Sequence, residues 1–229
     1  LKKHKPPPEL IQLPVLMVAM GSLFSLILLL GLAEVKAHSQ GPPSPSKHAE
    51  TARWMAHNLD YGVMSTISTW EPAKGMPFGN PYSFADGPKS NSSGIFYVYA
   101  AGMDQSMKDL VVDPSVSFTL SEASLGTMCQ DQGFDPEDPP CARLTITGKF
   151  EKVADAEEVK FAKEGLFERH PNMKKYPASH EFFVGKIVPR SIWLIDFYGG
   201  AADVDPKDYF SAEVPDLDLP VKRSETLNV

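Results

Sequence analysis

The sequence is poor in cationic residues and in cysteine. Its 229 residues include 22 Lys and Arg against 29 Asp and Glu, which gives a formal net charge of −7. A surface of this sign repels a phosphate backbone, and the sequence has neither a basic stripe nor zinc-finger spacing, so we expect no nucleic-acid partner. The two cysteines lack a neighbouring Cys-x-x-Cys or paired His, so we expect no metal site.

Charge is missing altogether from one long segment near the N-terminus. Leu10 to Ala33 is a run of 24 residues without a charged side chain, preceded by a basic patch and followed by small residues up to Ala37. This order is typical of a secretory signal that is cleaved after Ala37. The run is also long enough to cross a bilayer, so an uncleaved anchor is the alternative. We predict that residues 1–37 are a signal peptide or signal anchor and provide the only membrane contact.

The two cysteines, Cys129 and Cys141, enclose the segment QDQGFDPEDPP, which is rich in turn formers. In a chain that follows the secretory route, an even number of cysteines most simply forms a disulfide. Closing a loop of this size stabilises a fold by about 3 kcal/mol. Two buried free thiols are the alternative.

One N-glycosylation acceptor is formed by Asn91, Ser92 and Ser93, within a cluster of Gly, Pro and Ser between two apolar runs. The pattern predicts an exposed, flexible turn, and a secretory chain would carry a glycan at Asn91. A chance match in a Ser-rich hairpin is the alternative.

Apolar periodicity predicts a mainly β domain with flanking helices, in the form of a small antiparallel barrel. The predicted strands are Val63–Thr69, Pro81–Ala85, Ile95–Ala100, Val116–Leu120, Ala142–Val153, Phe182–Val188 and Ser191–Phe197. The predicted helices are a leading helix that ends before Gly62, a second near Asp104–Val111 and a third at Ala156–Arg169. No repeat of fixed period is present in the sequence.

The ends of the domain follow from composition. A Pro-rich linker is predicted at 38–47, the barrel domain at 48–210 and a flexible polar tail at 211–229. Asp155 and Glu158 have the spacing of a variant capping box and would begin the third helix.

Several blocks of this sequence resemble known families. ARWMAHNLDYGVMSTIS, GMPFGNPYSFADG and MKDLVVDPSVSFTL are similar to the split-barrel flavoproteins of the pyridoxamine-phosphate-oxidase type. TIST, FADGP, GFDPEDPPC, FERHPNMKKYPASHEFF and IWLIDFYGG resemble, in order and spacing, the CREG family of secreted glycoproteins, cellular repressors of viral early-gene-stimulated transcription. The CREG resemblance covers about Ala49 to Tyr209. It implies a split β-barrel like that of FMN-binding proteins, a homodimer, recognition by receptors through glycans and surface, and effects on growth and differentiation.

A flavin mononucleotide requires cations and hydrogen-bond donors around its phosphate. In the flavoproteins that this chain resembles, cationic or His residues usually occupy the helix before an L-x-x-D-P segment, and an Arg often follows the proline. The matching positions here are Ser106, Met107, Lys108, Asp109 and Ser115, so Lys108 is the single cation. Thr66 and Ser68 are assigned structural roles, as ordinary strand hydroxyls.

These substitutions predict that the flavin site has been lost and that the protein is a non-enzymatic glycoprotein without a cofactor. The alternative is an FMN-dependent oxidoreductase or a haem-handling split-barrel enzyme. Neither His170 nor His180 has a Ser or Cys nucleophile at a recognisable spacing, so we expect no catalytic residue.

The acidic segment Asp135, Pro136, Glu137 and Asp138 lies inside the cysteine loop. The resemblance implies that this loop is a functional surface beside the cofactor cleft, where its carboxylates would repel a phosphate. A solvated acidic turn is the alternative. The expected location of the protein is secreted or extracellular, with endolysosomal and secretory-pathway pools.

Overall fold

The computed structural model describes residues 42–126 and 128–214. The predicted signal or anchor segment at 1–37, linker residues 38–41 and tail residues 215–229 lie outside the described residues. Across the described ranges, no helix is both long and apolar enough to cross a membrane.

Helices and strands alternate along the described chain. The helices are α1 (His48–Asn58), α2 (Gln105–Val112), α3 (Met128–Asp131), α4 (Ala156–Arg169) and α5 (Pro206–Ser211). The strands are β1 (Tyr61–Ile67), β2 (Pro77–Ser83), β3 (Phe96–Ala100), β4 (Ser115–Ser121), β5 (Arg143–Lys152), β6 (Phe183–Ile195) and β7 (Ala202–Asp203). Short 3₁₀ turns fill several of the connections. Helix α5 continues through Ser211, one residue past the predicted end of the domain.

All strands pair antiparallel in one sheet, in the order β2, β1, β4, β5, β6, β3, with β7 added beside β6. A single bridge between Ala85 and Tyr97 brings the β2 side of the sheet back to β3 at the other edge. The sheet therefore curls into a half-barrel. The predicted fold class, a mainly β split barrel with flanking helices, is confirmed.

The interior of the barrel is built by alternation along the strands. Met64 on β1, Phe118 on β4 and Ile146 on β5 are fully buried. The residues on either side of each of them along the same strand are at least partly exposed. The rings of Phe84, Phe96 and Phe118 lie within 4.7 to 5.5 Å of each other, centroid to centroid, at the centre of this core. Burial of apolar area at about 25 cal/mol per Å² is the main force that closes the barrel.

Helix α1 is buried around most of its circumference. Every residue from Thr51 to His57 is buried, because the helix packs on the barrel and also contacts α5. The Arg53 guanidinium lies over the ring of Tyr209 at 5.4 Å from its centroid. The helix is therefore covered from more than one side, by the barrel and by α5.

The sequence suggested that Gly62 ends α1, but the structure shows otherwise. The helix ends at Asn58, and Gly62 lies within β1. A Cβ at position 62 would come within 2.5 Å of the Thr119 carbonyl oxygen on β4. The glycine is needed for close approach of the two strands rather than for a helix cap.

Helix α4 covers the outside of β3 and β6, where Ala162 and Leu166 pack against Tyr97 and Val184. The Asp155 carboxylate accepts a hydrogen bond of 2.8 Å from Glu158 N, as predicted for a helix start. The Glu158 carboxylate does not complete the capping box, because it binds Lys186 Nζ at 2.9 Å and the Tyr97 hydroxyl at 3.0 Å.

The two predicted strands Phe182–Val188 and Ser191–Phe197 are one continuous strand, β6. It passes through Pro189, where the pairing with β5 shifts register beside Gly148. A proline cannot donate to the ladder, and the bulge accommodates it.

Candidate functional site

Thr66, one of the positions matched to the flavin site, helps to surround a carboxylate of the chain itself instead of an anion site. Asp109, on α2, is fully buried and accepts four hydrogen bonds. Its donors are Thr66 Oγ1 at 2.8 Å, Thr69 N at 2.7 Å, Thr69 Oγ1 at 2.7 Å and Gln105 Nε2 at 2.7 Å. The donors that a bound phosphate would need are therefore already directed at an acidic side chain of the protein.

Burial alone would raise the pKa of the Asp109 carboxyl. The hydrogen bonds from Thr69, Thr66 and Gln105 outweigh burial and hold the pKa of Asp109 below its ordinary value. The carboxylate is therefore charged at neutral pH, and a dianionic ligand placed beside it would be repelled.

The other predicted positions do not assemble into a phosphate site. Ser68 Oγ accepts a hydrogen bond of 3.1 Å from Trp70 N, and Ser106 Oγ accepts one of 3.2 Å from Asn80 Nδ2. Lys108 is exposed, while its neighbour Asp109 is buried. The structure joins Thr66 to Asp109 and leaves the single cation of this segment in solvent.

A cleft of about 610 Å³ opens where β2, the end of β3 and the start of α2 meet. The Asp104 carboxylate caps α2 by accepting from Ser106 N at 2.8 Å, and it also accepts from the Tyr82 hydroxyl at 2.6 Å. Its other oxygen has a long contact of 3.4 Å from Asn80 Nδ2. Burial, followed by the hydrogen bond to Asp104, raises the pKa of Tyr82 well above its usual range, so the hydroxyl stays a donor.

The opposite wall of the cleft is aromatic. Tyr99, Tyr176 and Phe182 form a cluster in which Phe182 lies 5.1 Å from Tyr99 and 4.9 Å from Tyr176, between ring centroids. His180 lies 5.9 Å from Phe182. This cluster could not be predicted from sequence patterns, because its members come from β3 and from the irregular segment that follows α4.

The cleft does not fit a flavin phosphate. Its lining residues are Asn80, Pro81, Tyr82, Ser83, Tyr99, Ala100, Ala101, Met103, Asp104, Gln105, Met173, Tyr176, His180 and Phe182. No Lys or Arg is among these described residues, and the carboxylate of Asp104 lies at the position where α2 begins. A phosphate would therefore meet an acidic group without a compensating cation.

The disulfide that the sequence predicts is present between Cys129 and Cys141, whose Cα atoms are 5.5 Å apart. The acidic loop it encloses uses its own carboxylates as caps: Asp138 Oδ2 accepts from Asp135 N at 2.9 Å, and Asp135 Oδ1 from Glu137 N at 3.3 Å. Asp135, Pro136 and Glu137 are exposed.

The acidic loop does not itself line the cleft, since none of the described residues Asp135, Pro136, Glu137 and Asp138 is among the lining residues. It follows Ser121, and the pairing of Val63 with Thr119 places that end of β4 next to the start of β1. The functional role that the resemblance implies for this loop stays a prediction, and so does the solvated-turn alternative.

A buried polar network anchors the loop that carries Asn91. Asp86 is fully buried and binds His57 Nδ1 at 2.9 Å and Arg169 Nη2 at 3.0 Å. Its other oxygen accepts hydrogen bonds from Ser92 Oγ and, at 3.3 Å, from Gly94 N. Arg53 Nη2 donates to the Ser92 carbonyl at 3.0 Å. The exposed Asn91 therefore sits on a loop that these hydrogen bonds fix at its base, and the flexibility that the sequence predicts for the turn itself stays a prediction.

Two further buried carboxyl groups, those of Glu122 and Asp196, lie on the disulfide side of the barrel. Glu122 Oε2 accepts from Ala142 N at 3.0 Å, and Asp196 Oδ2 lies 3.4 Å from His48 Nδ1. Burial raises the pKa of Glu122, with a further increase from the Asp196 charge. Burial also raises the pKa of Asp196, although His48 opposes it.

Neither histidine considered for catalysis faces a nucleophile. His170, at the end of α4, has its Nε2 atom 3.0 Å from the Phe84 carbonyl oxygen, and His180 belongs to the aromatic wall. Within residues 42–126 and 128–214, no group of three or more metal-ligating side chains is brought together.

The outer face of the sheet carries two rows of paired residues that are uncharged from β2 to β6, and the first row ends at Asp203 on β7, which pairs with Trp193. One row runs through Pro81, Val63, Thr119, Thr145 and Trp193, and the next through Gly79, Ser65, Ser117, Thr147 and Ser191. Val63 and Trp193 each expose 41% of their surface, and the hydroxyls of Thr119 and Thr145 lie 2.9 Å apart. This face is neither core nor a typical charged surface.

Comparison with known proteins adds independent evidence. A family model described as CREG, beta-barrel matches residues 43–211. Mouse protein CREG2 is 43% identical over 174 residues, which cover 76% of this chain and 60% of the mouse protein. Human protein CREG1 is 36% identical over 178 residues, or 77% of this chain and 80% of the human protein. The match thus spans about three fifths of the length of the CREG2 relatives.

Solved structures share the fold at low sequence identity. A haem-binding protein from Mycobacterium smegmatis has a TM-score of 0.58 at 21% identity, covering 76% of this chain and 63% of that protein. Protein Atu2129 from Agrobacterium tumefaciens, of unknown function, has a TM-score of 0.54 at 18% identity, covering 74% and 63%. At this level of identity, the similarities show a shared barrel fold and nothing more.

Proposed function

Because this chain belongs to the CREG β-barrel family, we propose that it is a secreted or endolysosomal glycoprotein without enzymatic activity, in which an ancestral flavin site has been lost. In this proposal the protein modulates cell growth and differentiation, or lysosomal homeostasis, by binding a receptor. The barrel then serves as a rigid scaffold that presents loops and a glycan rather than as a cofactor cage.

The observation that carries the proposal is the set of hydrogen bonds that the buried Asp109 carboxylate accepts. In the flavoproteins that this chain resembles, cationic or His residues on the helix that corresponds to α2 would hold a phosphate. Here Thr66, Thr69 and Gln105 direct hydroxyl and amide donors at a buried carboxylate of the same chain. Displacing such an acceptor would leave Asp109 charged, buried and without partners, which costs several kcal/mol.

An absorbance spectrum of the natively purified protein tests this proposal. We expect neither a flavin band nor a haem Soret band, and addition of FMN should cause no saturable quenching of flavin fluorescence. Riboflavin, which lacks the phosphate, is the matched control ligand. A stoichiometric flavin band that survives dialysis, or saturable binding of FMN but not riboflavin, would support the FMN-dependent enzyme instead, and a Soret band the haem-handling one.

We further propose that two copies of the chain pair through the uncharged outer face of the sheet. The two rows of residues on that face combine hydroxyl groups with the exposed Val63 and Trp193, and from β2 to β6 they contain no ionisable side chain to desolvate, while Asp203 beyond Trp193 would lie at the edge of the paired surface. A symmetric pair of identical faces is the commonest closed assembly, and it would bury this surface.

The fixed loop that carries Asn91 supports a glycan-mediated receptor role. Asn91 is exposed, whereas Asp86 below it is buried and bonded to His57 and Arg169. A glycan at Asn91 would project into water from a defined position, which is the property that a glycan-recognising receptor requires.

A further inference from the structure

We propose that the cleft between Asp104 and the aromatic cluster of Tyr99, Tyr176 and Phe182 binds a small organic cation, an ammonium group carried on a short apolar body. The cleft volume of about 610 Å³ lies within the range of small-molecule sites, and its walls combine aromatic rings with a few polar groups.

The charge of the cleft selects the sign of the ligand. Asp104 is the only carboxylate among the lining residues. Within the described part of the chain, no Lys or Arg forms an ion pair with it, and one of its oxygens has only the 3.4 Å contact from Asn80. A bound ammonium group would supply this oxygen with a charge-assisted hydrogen bond or a close electrostatic contact.

The aromatic wall supplies the second contact. The face of an aromatic ring attracts a cation within about 6 Å of its centroid. The Tyr99 ring already has a cation, since Lys163 Nζ, on α4, lies 5.7 Å from its centroid, so the ligand would use the ring of Tyr176 instead. Tyr176 is 44% exposed at the rim of the cleft and has surface free to cover a ligand.

The polar groups next to Asp104 keep the carboxylate in place. Tyr82 donates to Asp104 at 2.6 Å and Ser106 N donates at 2.8 Å, so one oxygen is fixed while the other faces a weaker partner. The carboxylate is thus held in position before a ligand arrives, which reduces the entropic cost of binding. The same arrangement disfavours an anionic ligand such as a phosphate.

Titration of the purified full-length protein with choline, followed by NMR of the aromatic side chains, tests the proposal. The uncharged carbon isostere of choline, dimethylbutanol, is the matched control ligand. We expect saturable shifts with choline and binding of the isostere that is weaker by about tenfold, because cation–π and ion-pair contacts depend on the charge. Equal binding of the two compounds, absence of saturation by choline, or saturable binding of inorganic phosphate in the cleft would overturn the proposal.

Variants locate the site. Asp104→Asn keeps an effective helix cap and an acceptor for Tyr82, so it should fold normally while choline binding falls about tenfold or more. Asp113→Asn is the control, because Asp113 caps its own turn at the other end of α2 and does not line the cleft. Tyr176→Leu should weaken choline binding without removing the charge. Choline binding that survives both Asp104→Asn and Tyr176→Leu would place the ligand elsewhere and refute the assignment.

Discussion

Thr66 Oγ1 donates a hydrogen bond of 2.8 Å to Asp109 Oδ2, and this contact ties the end of β1 to α2 across 43 positions of the sequence. Both partners are buried, with Thr66 2% exposed and Asp109 0% exposed. Because both partners are buried, the contact contributes to stability as well as to holding the Asp109 carboxylate in place.

Thr66→Val should therefore destabilise the fold. Valine has nearly the same shape but cannot donate, so the buried Asp109 loses one of its four hydrogen bonds. We expect the free energy of unfolding in urea to fall by about 1 to 3 kcal/mol. Ser179→Ala, at an exposed serine outside the sheet, is the control and should change it by about 0.5 kcal/mol or less. A similar small change for Thr66→Val would show that the Thr66 contact contributes little.

The Thr66–Asp109 contact also shows what could be predicted from the sequence and what could not. The barrel follows from alternation, as in Leu144, Ile146 and the residues between them, and α4 begins and ends where its pattern predicts. The hydrogen bonds of Asp109, by contrast, could not be predicted. In the sequence, Asp109 is only one of the positions matched to the flavin site, because hydrogen bonds over 40 or more positions leave no periodic signal.

The buried network below Asn91 is a second example of the same limit. His57, Asp86 and Arg169 come from α1, a loop and the end of α4, and each reads in sequence as an ordinary surface residue. FADGP was identified by resemblance, but the reason for its aspartate is visible only when the fold brings Arg169 to it. Local patterns predict elements, whereas contacts between elements set the site.

Stability should be greater at acidic pH through Glu122. The pKa of Glu122 is raised in the folded state above its usual value, so the stability this group contributes is present below that value and is lost as pH rises through the folded pKa. Asp196 acts in the same direction, and Asp109, whose pKa is lowered, acts in the opposite direction as the pH falls through its folded value.

We expect Glu122→Gln to reduce the loss of stability between about pH 4.5 and pH 7, because glutamine keeps the shape and has no charge to desolvate. Urea unfolding measured across this range gives the slope for each variant. Glu164→Gln, at an exposed position on α4, should leave the slope unchanged. An unaltered slope in Glu122→Gln would mean that the carboxyl is not the source of the dependence.

The disulfide should be a major contribution to stability. Replacing both Cys129 and Cys141 by Ala removes a cross-link that closes a loop with a sequence separation of 12. We expect unfolding to require about 3 kcal/mol less than in the parent protein, mainly because the unfolded chain is less restricted. Denaturation curves of the double variant measure this difference, and the parent protein treated with a reductant should approach the same value.

Dimerisation through the outer sheet face should be sensitive to charge. Light scattering of the parent protein should give twice the mass of one chain, and Ser117→Lys should give one chain mass, because two lysines would be buried near each other across a symmetric pair. Asn172→Lys adds the same charge at an exposed site away from this face and is the control. A Ser117→Lys protein that remains dimeric would exclude this face as the interface.

Two substitutions that remove the same glycosylation signal should differ in stability. Asn91 is exposed, whereas the Ser93 hydroxyl donates to the Asp86 carbonyl at 2.5 Å and accepts from Ile95 N at 3.0 Å. Asn91→Gln should therefore remove one glycan mass step from protein secreted by eukaryotic cells with a change in stability of about 0.5 kcal/mol or less. Ser93→Ala should remove the same mass step but lower stability by about 1 kcal/mol or more, because two hydrogen bonds of the anchored loop are lost.

Ser93→Thr separates the two effects, since Asn-x-Thr is also an acceptor and threonine keeps the hydroxyl. It should carry the glycan and retain most of the stability. Mass spectrometry of the peptide that contains Asn91 reads the first property, and urea unfolding after enzymatic removal of glycans reads the second. A parent protein whose Asn91 peptide is mostly unmodified would rule out glycan recognition at this site, because the fixed loop would then present only the asparagine side chain to a receptor.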